Sequence, residues 1–303
     1  MQPKFIARFL SRLFVWLRML RAFKGLTLRS ELNLLLSALY DALFYAISGA
    51  ALNPRLALKG IFFFKIKGLG VAVVRGVTDD LYNLLPGREG DVDAFIRSRL
   101  REGAVFVDVG ANVGYYTLVA SKLVGAVGRV YSIEPVPSTA AVLRVNVELN
   151  GCGNIVVREV AAWSARECLT LKIPASMYGY ASVVREGTSV TVVASTLDDI
   201  LRDEAWIHLI KIDVEGAELE VLKGARSVLR RTRYVILELS RNAREVLREL
   251  LDAGFACKKA RFGTYILCAR GAPRGGGEVA RAGAARPRAG LRGGDGAPSE
   301  ERG

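Results

Sequence analysis

Four acids that close apolar runs mark where this sequence could do chemistry: Asp108, Glu134, Asp213 and Glu215. Asp108 ends the run Ala104-Val-Phe-Val and is followed by Val-Gly110-Ala-Asn112-Val-Gly114, then by the apolar-rich segment Tyr115–Val124. That order predicts a buried strand, a tight glycine-rich turn and a helix. Gly110 and Gly114 leave the backbone bare, so a ligand can approach the helix N-terminus closely. Open α/β sheets bind ligands at the carboxyl ends of their strands, which is where Asp108 would stand. A carboxylate is a poor neighbour for a phosphate, so the expected ligand carries a cation or hydroxyls. Glu134 ends the next strand, Arg129–Glu134, 26 positions after Asp108. One carboxylate at that place can accept hydrogen bonds from both hydroxyls of a vicinal diol such as ribose.

A second polar group leaves another core strand, Ile207–Asp213, as Lys211-Ile-Asp213-Val-Glu215-Gly216-Ala-Glu218. A period of two puts Lys211 and Asp213 on one face of that strand. The only histidine, His208, lies five residues before Asp213. That is roughly 16 Å along a strand, so it is expected near the opposite end of the sheet as a core residue. Proton removal would then fall to Asp213, to Glu215, or to Lys211 with its pKa lowered by burial. The alternative for Lys211 is a salt bridge to one of those acids. Asp213, Glu215 and Glu238 could also hold a divalent cation, although no metal is expected.

Asp-Val-Gly-Ala-Asn at 108–112, Ile-Glu-Pro at 133–135, Lys-Ile-Asp-Val-Glu-Gly-Ala-Glu at 211–218 and Ile-Leu-Glu at 236–238 resemble the FkbM family of methyltransferases. The resemblance covers about residues 70–269 and implies a Rossmann-like class I methyltransferase fold. Such a fold has a mostly parallel seven-stranded sheet with an antiparallel terminal strand and helices on both faces. It also implies S-adenosyl-L-methionine as cofactor, whose amino group and ribose suit an acid-lined turn. Asp108, Gly110, Asn112, Gly114 and Glu134 are the expected cofactor-binding residues, and Asp213, Glu215 and Lys211 the catalytic candidates. The implied reaction is O-methylation of a hydroxyl on a sugar, lipid or secondary metabolite, the acceptor being a small molecule, glycan or glycolipid.

The elements that must position these residues follow from periodicity. Alternating β and α patterns from Val105 to Ala269 predict a parallel sheet covered on both faces. Arg233–Leu239 reads as a strand, and Phe255–Lys259 with Tyr265–Ala269 as a closing hairpin. Ser138 is expected to cap a helix running to Asn150-Gly151. Thr196 opens a short helix, and Leu169–Ile173 and Ser189–Ala194 are strands around the loop Met177–Ser182. Upstream, Ile61–Phe64 and Val71–Val74 predict a small hairpin, and Asp91–Leu100 a helix that serves as lid or brace.

Residues 1–57 are read as a basic, apolar helical extension, 58–270 as the catalytic domain and 271–303 as a disordered Gly/Ala/Arg/Pro tail. Met1–Arg29 holds seven Lys or Arg and no acid, with Phe5, Phe9, Leu13, Trp16, Leu20 and Phe23 on one helical face. Two readings stand: an interfacial helix on an anionic membrane surface, or an N-terminal helix packed on the domain. Leu32–Leu52 completes a helical hairpin broken near Lys24–Gly25. Asp41 within it argues against a span, because a mid-span acid costs about 2.5–3.5 kcal/mol.

A net charge of +13 concentrated at the terminus speaks for an anionic surface rather than nucleic acid. Methylation of a nucleic-acid base is further disfavoured because Asp213-Val-Glu215-Gly stands where an Asn/Asp-Pro-Pro-aromatic string is usual. A nicotinamide oxidoreductase would want glycine at Asn112 and Tyr115. A membrane-tethered binding module without catalysis is a further alternative. The four cysteines show no paired spacing and are read as reduced, mostly buried thiols of a cytoplasmic protein, peripheral on the inner membrane face if the first helix binds lipid.

Overall fold

The computed structural model of the chain describes residues 3–48, 53–173, 187–261 and 263–271. The expectations for the loop Met177–Ser182 and for the tail beyond Gly271 lie outside the described residues.

Helix α1 (Pro3–Ala22) runs into a short strand, β1 (Phe23–Gly25), and then into α2 (Leu28–Ser48). Thr27 starts α2: its hydroxyl accepts the Ser30 N–H at 3.1 Å, satisfying a donor that the helix itself cannot. The two helices are locked by the Arg12–Asp41 ion pair, whose carboxylate also accepts the Trp16 indole N–H at 2.7 Å. The expected break at Lys24–Gly25 is real but is a strand. β1 pairs antiparallel with β2 (Ile61–Ile66), which pairs with β3 (Gly70–Arg75). Trp16, Met19, Phe23 and Leu34 share one core with Phe62, Phe64, Phe106 and Leu118. The described residues up to Gly271 accordingly form one compact unit.

Two helices, α3 (Asp80–Asn83) and α4 (Gly90–Arg99), precede β4 (Val105–Val109). Then come α5 (Tyr115–Val124), β5 (Arg129–Ile133), α6 (Pro137–Leu149) and β6 (Ile155–Arg158). Ser138 does not cap α6. Pro137 occupies the first turn, where its fixed φ and missing N–H are no handicap, and Val136 takes the cap position.

β7 (Ala161–Ala162), β8 (Glu167–Ile173) and β9 (Thr188–Ser195) form a separate three-stranded sheet. Helix α7 (Leu197–Ile200) is capped as expected, Thr196 Oγ1 accepting the Asp199 N–H at 3.0 Å. The chain continues through β10 (Ile207–Ile212), α8 (Glu218–Lys223), α9 (Arg226–Arg230), β11 (Thr232–Glu238), α10 (Ala243–Asp252), β12 (Phe255–Lys259) and β13 (Tyr265–Arg270).

The main sheet has seven strands in the order β12-β13-β11-β10-β4-β5-β6. β11, β10, β4, β5 and β6 are mutually parallel, and β13 inserts antiparallel between β11 and β12. This is the expected Rossmann-like sheet. The period of two sends Phe106, Leu209 and Ile236 into a core with α5, and Val107, Ile210 and Val235 into a second core with α8, α9 and α10. Helices thus cover both faces.

One expectation fails outright. Cys257 and Cys268 are cross-strand partners in the β12–β13 hairpin and form a disulfide, while Cys168 is exposed. Their separation of 11 residues has no diagnostic spacing; only the hairpin register sets them opposite one another.

Candidate active site

β4 delivers Asp108 to the carboxyl end of the sheet, with β5 and β10 beside it. The turn after β4 is pinned to its neighbour, because Gly110 and Ala111 both donate to the Ile133 carbonyl, at 2.9 and 3.0 Å. Gly110 has φ +78°, and a Cβ there would collide with the Asp213 carbonyl oxygen. The two informative stretches of the sequence are therefore in backbone contact at this glycine. Glu134 supports the same turn from β5. Its carboxylate accepts the Asn112 N–H at 2.9 Å and the Val136 N–H at 3.0 Å.

The carboxylates face one pocket, lined among others by Asp108, Gly110, Asn112, Glu134, Lys211 and Asp213. Asp108 is 1% exposed. Its Oδ2 accepts the Thr117 hydroxyl at 2.8 Å, and its Oδ1 has no partner among the described residues. Asn112 Oδ1 is likewise buried and unpartnered. Buried acceptors without donors are rare in folded proteins, so both call for donor groups of a ligand. Burial raises the Asp108 pKa, an effect that Lys211 and Thr117 partly offset. Burial also pushes Glu134 up to about 7, against the pull of the Val136 and Asn112 N–H groups and of Arg75.

Register places Lys211 opposite Asp108 on β4, with Asp213 two residues on along the chain. Lys211 is 2% exposed, and its Nζ lies 2.9 Å from Asp213 Oδ2 and 5.1 Å from the centre of the Tyr116 ring. Burial alone would lower its pKa, but Asp213, Asp108 and Glu89 outweigh burial and hold it above its ordinary value. The expectation of a lysine base with lowered pKa is thereby corrected: Lys211 stays an ammonium because three acids face it. The salt bridge weighed as its alternative is the arrangement found.

Asp213 gathers further donors. The Tyr265 hydroxyl donates to its Oδ2 at 2.8 Å, and the Glu238 carboxylate stands close by at the end of β11. Burial would raise Asp213, yet Lys211 and its hydrogen bonds hold it well below the usual carboxylate range. Glu238 moves the other way: burial, then the Asp213 charge, pushes it up to about 8. The two carboxylates therefore titrate as a pair, with the proton that is hardest to remove shared on the Glu238 side.

Glu215 lines the pocket beside them in a left-handed conformation, φ +51°. Carboxylate oxygens of Asp213, Glu215 and Glu238 come within 4.8 Å of one another. Glu218 does something else: it accepts the Gly216 N–H at 2.9 Å and the Ser240 hydroxyl at 2.8 Å, bracing the turn. His208 lies at the far end of β10, its Nδ1 accepting the Val105 N–H at 3.0 Å.

The sequence reading missed several residues of this pocket: Tyr265, Tyr116, Arg88 and Glu89. Tyr116 donates to Glu89 at 2.8 Å, and Glu89 pairs with Arg88 at 2.6 Å. The turn just before the helix read as a lid or brace, not that helix itself, thus contributes a polar wall. The available signals were Tyr115-Tyr116 directly after the glycine turn and the Arg88-Glu89 pair after Pro86-Gly87.

Sheet order, glycine turn and acids at three adjacent strand ends define a Rossmann-like fold of the class I methyltransferase type. The profile of the Methyltransferase FkbM domain matches residues 108–257. Over 145 residues the chain is 36% identical to the "Probable cobalt-precorrin-6B C(15)-methyltransferase (decarboxylating)" of Sulfolobus acidocaldarius, covering 44% of this chain and 76% of that one. It is 29% identical over 153 residues to the hexuronic acid methyltransferase AglP of Haloferax volcanii, covering 50% of this chain and 62% of the relative. Among solved structures, the methyltransferase FkbM of Methylobacillus flagellatus superimposes with a TM-score of 0.40 at 19% identity, covering 63% of this chain and 54% of that one. The chain belongs to the FkbM methyltransferase family, and its cofactor is S-adenosylmethionine. The unpartnered acceptors of Asp108 and Asn112 fit that molecule, which offers an amino group and two ribose hydroxyls as donors and has no phosphate.

Proposed function

We propose that this protein methylates a hydroxyl oxygen on a sugar-bearing acceptor, a free sugar, glycan or glycolipid. Bound at the turn, the cofactor supplies the methyl group as an electrophile on a sulfonium. Asp108, Asn112, Glu134 and the bare backbone of Gly110 and Gly114 are the residues assigned to hold it. The observation that carries the reading is the close set of Asp213, Glu215 and Glu238 carboxylates in the wall of the same pocket, with Lys211 and Tyr265 bonded to Asp213.

An alcohol is a weak nucleophile until its proton is withdrawn, and Asp213 and Glu238, once both ionised, can take that proton. Glu215, which also lines the pocket, is assigned the role of orienting the acceptor. The relative that acts on a hexuronic acid supports a sugar acceptor.

The test is methyl transfer from radiolabelled S-adenosylmethionine to hexuronic acids and to cell glycan and glycolipid extracts. Absence of any labelled hydroxyl product would overturn the reading. The pair also makes the rate pH-dependent. Because the Glu238 pKa is raised to about 8, its basic form grows as pH rises, so kcat/KM is expected to climb from pH 7 and level off above about 8. Glu238→Gln should remove that limb, and a profile unchanged in the variant would exclude Glu238 from the pair that takes the proton.

Glu134 predicts a second pH effect, of opposite sign on stability and on affinity. Its folded pKa of about 7 lies above the ordinary 4.5, so its contribution to stability is complete below 4.5 and is lost as pH rises through about 7. Ribose hydroxyls need the ionised acceptor, so cofactor affinity should rise about tenfold from pH 6 to pH 8. Calorimetric titration at the two pH values checks this; equal affinities would remove Glu134 from the ribose site.

A further inference from the structure

The α1–α2 hairpin buries one side against the domain and leaves the other open. On α2, Leu32, Leu35, Leu36, Leu39, Leu43 and Ile47 recur at three- and four-residue spacing, opposite the buried stripe of Leu34, Ser37, Asp41 and Tyr45. On α1, Leu10, Leu13, Phe14 and Leu17 form a matching stripe. Exposure across the two sets runs from 41% to 86%. Leu13 and Leu17 also line a groove between the helices together with Ala38 and Ala42, so the stripes join into one surface. Soluble monomers rarely expose contiguous apolar patches of this kind.

Charge identifies the occupant. Residues 1–78 hold twelve Lys or Arg and only two acids. Both acids are engaged within the hairpin, Asp41 by Arg12 and Trp16, and Glu31 by the Gly25 N–H at 2.6 Å. Arg21 and Lys24 are exposed where α1 ends, and Lys24 stands directly opposite exposed Lys65 in the sheet. A second copy on this face would bring two strongly basic segments together, which like-charge repulsion opposes. Anionic headgroups above an acyl layer match both the leucines and the bases. Among the described residues no helix is long and apolar enough to cross a membrane, and the inner side of α2 is already committed to the protein core.

We propose that the exposed face of α1 and α2 docks on the surface of an anionic phospholipid bilayer. Its leucines enter the acyl boundary and its bases meet the headgroup phosphates. The docked hairpin is tied to the pocket: Arg18 donates to the Pro86 carbonyl at 2.8 Å, in the turn that leads to Arg88 and Glu89 of the pocket wall. The hydroxyl acceptor is then one borne by a lipid, a clause that rests on the methyltransferase reading, whereas docking does not.

The experiment is co-sedimentation of the full chain with vesicles of phosphatidylcholine alone and of phosphatidylcholine with phosphatidylglycerol. It compares the wild type with Leu35→Glu/Leu39→Glu and with Arg21→Glu/Lys24→Glu. The wild type should bind the anionic vesicles, less so in high salt, and each double variant should bind at least about tenfold more weakly. Melting temperature and calorimetric S-adenosylmethionine affinity should stay unchanged in both variants, which separates a failure of docking from a failure of the cofactor site. Three results would overturn docking: no wild-type binding, equal binding to both vesicles, or wild-type binding by the leucine variant. A solution dimer that Leu35→Glu/Leu39→Glu splits, without vesicle binding, would also overturn it and assign the face to a second copy.

Discussion

Asp213→Asn should lower methyl transfer by about 10²–10⁴-fold, the range typical for loss of a positioned base. S-adenosylmethionine affinity should stay within a few-fold. The amide keeps the shape of the side chain but cannot take a proton, and it cannot match the charge of the Lys211 ammonium 2.9 Å away. Breaking a buried ion pair from one side costs about 3–5 kcal/mol. Because Asp108 and Glu89 still face Lys211, the loss of stability should fall at the low end of that range. The variant also relieves Glu238 of the neighbouring charge that helps to raise it, so any residual activity should show its pH limb shifted downward. Radiolabel transfer on the acceptor extract, calorimetry and a melting curve measure the three effects separately. Normal turnover in Asp213→Asn would remove it from the chemistry.

Gly110→Ala is expected to have the other large effect, on folding and cofactor binding together. At φ +78° a side chain costs about 1–2 kcal/mol through backbone strain alone. Here the added Cβ also strikes a backbone carbonyl, that of Asp213, which cannot rotate aside. The carbonyl can yield only if β10's exit moves, and that carries Asp213 away from Lys211 and Tyr265.

Several kcal/mol of lost stability should result, together with loss of measurable S-adenosylmethionine binding. Gly151→Ala is the matched control. Gly151 has φ +61° and open space around its missing Cβ, so it should pay the backbone strain of about 1–2 kcal/mol and nothing else. Equal melting temperatures for the two variants would show that the close approach of the two turns does not constrain the site.

The sequence alone determined the central strands of the main sheet, the glycine turn and the placement of Asp108, Glu134, Lys211 and Asp213 at or next to strand ends. Those features rest on local rules. A period of two, a run of β-branched residues and a glycine after an acid act within a few residues of one another. The disposition of Lys211 and Asp213 on one face followed from the same period.

What the tertiary structure decided involves residues far apart in the chain. Tyr265 reaches Asp213 across 52 positions because β13 inserts beside β11. Cys257 and Cys268 bond because a hairpin register sets them opposite. Lys211 keeps its proton because neighbouring elements surround it with acids, a balance of desolvation and charge that spacing cannot express. Likewise α2 reads from its sequence as one apolar run. Only the packing of α1 and the small sheet selects which side of it is buried and leaves the leucine stripe facing outward. Periodicity describes the faces an element has, and the fold, by filling one of them, decides what the other is free to do.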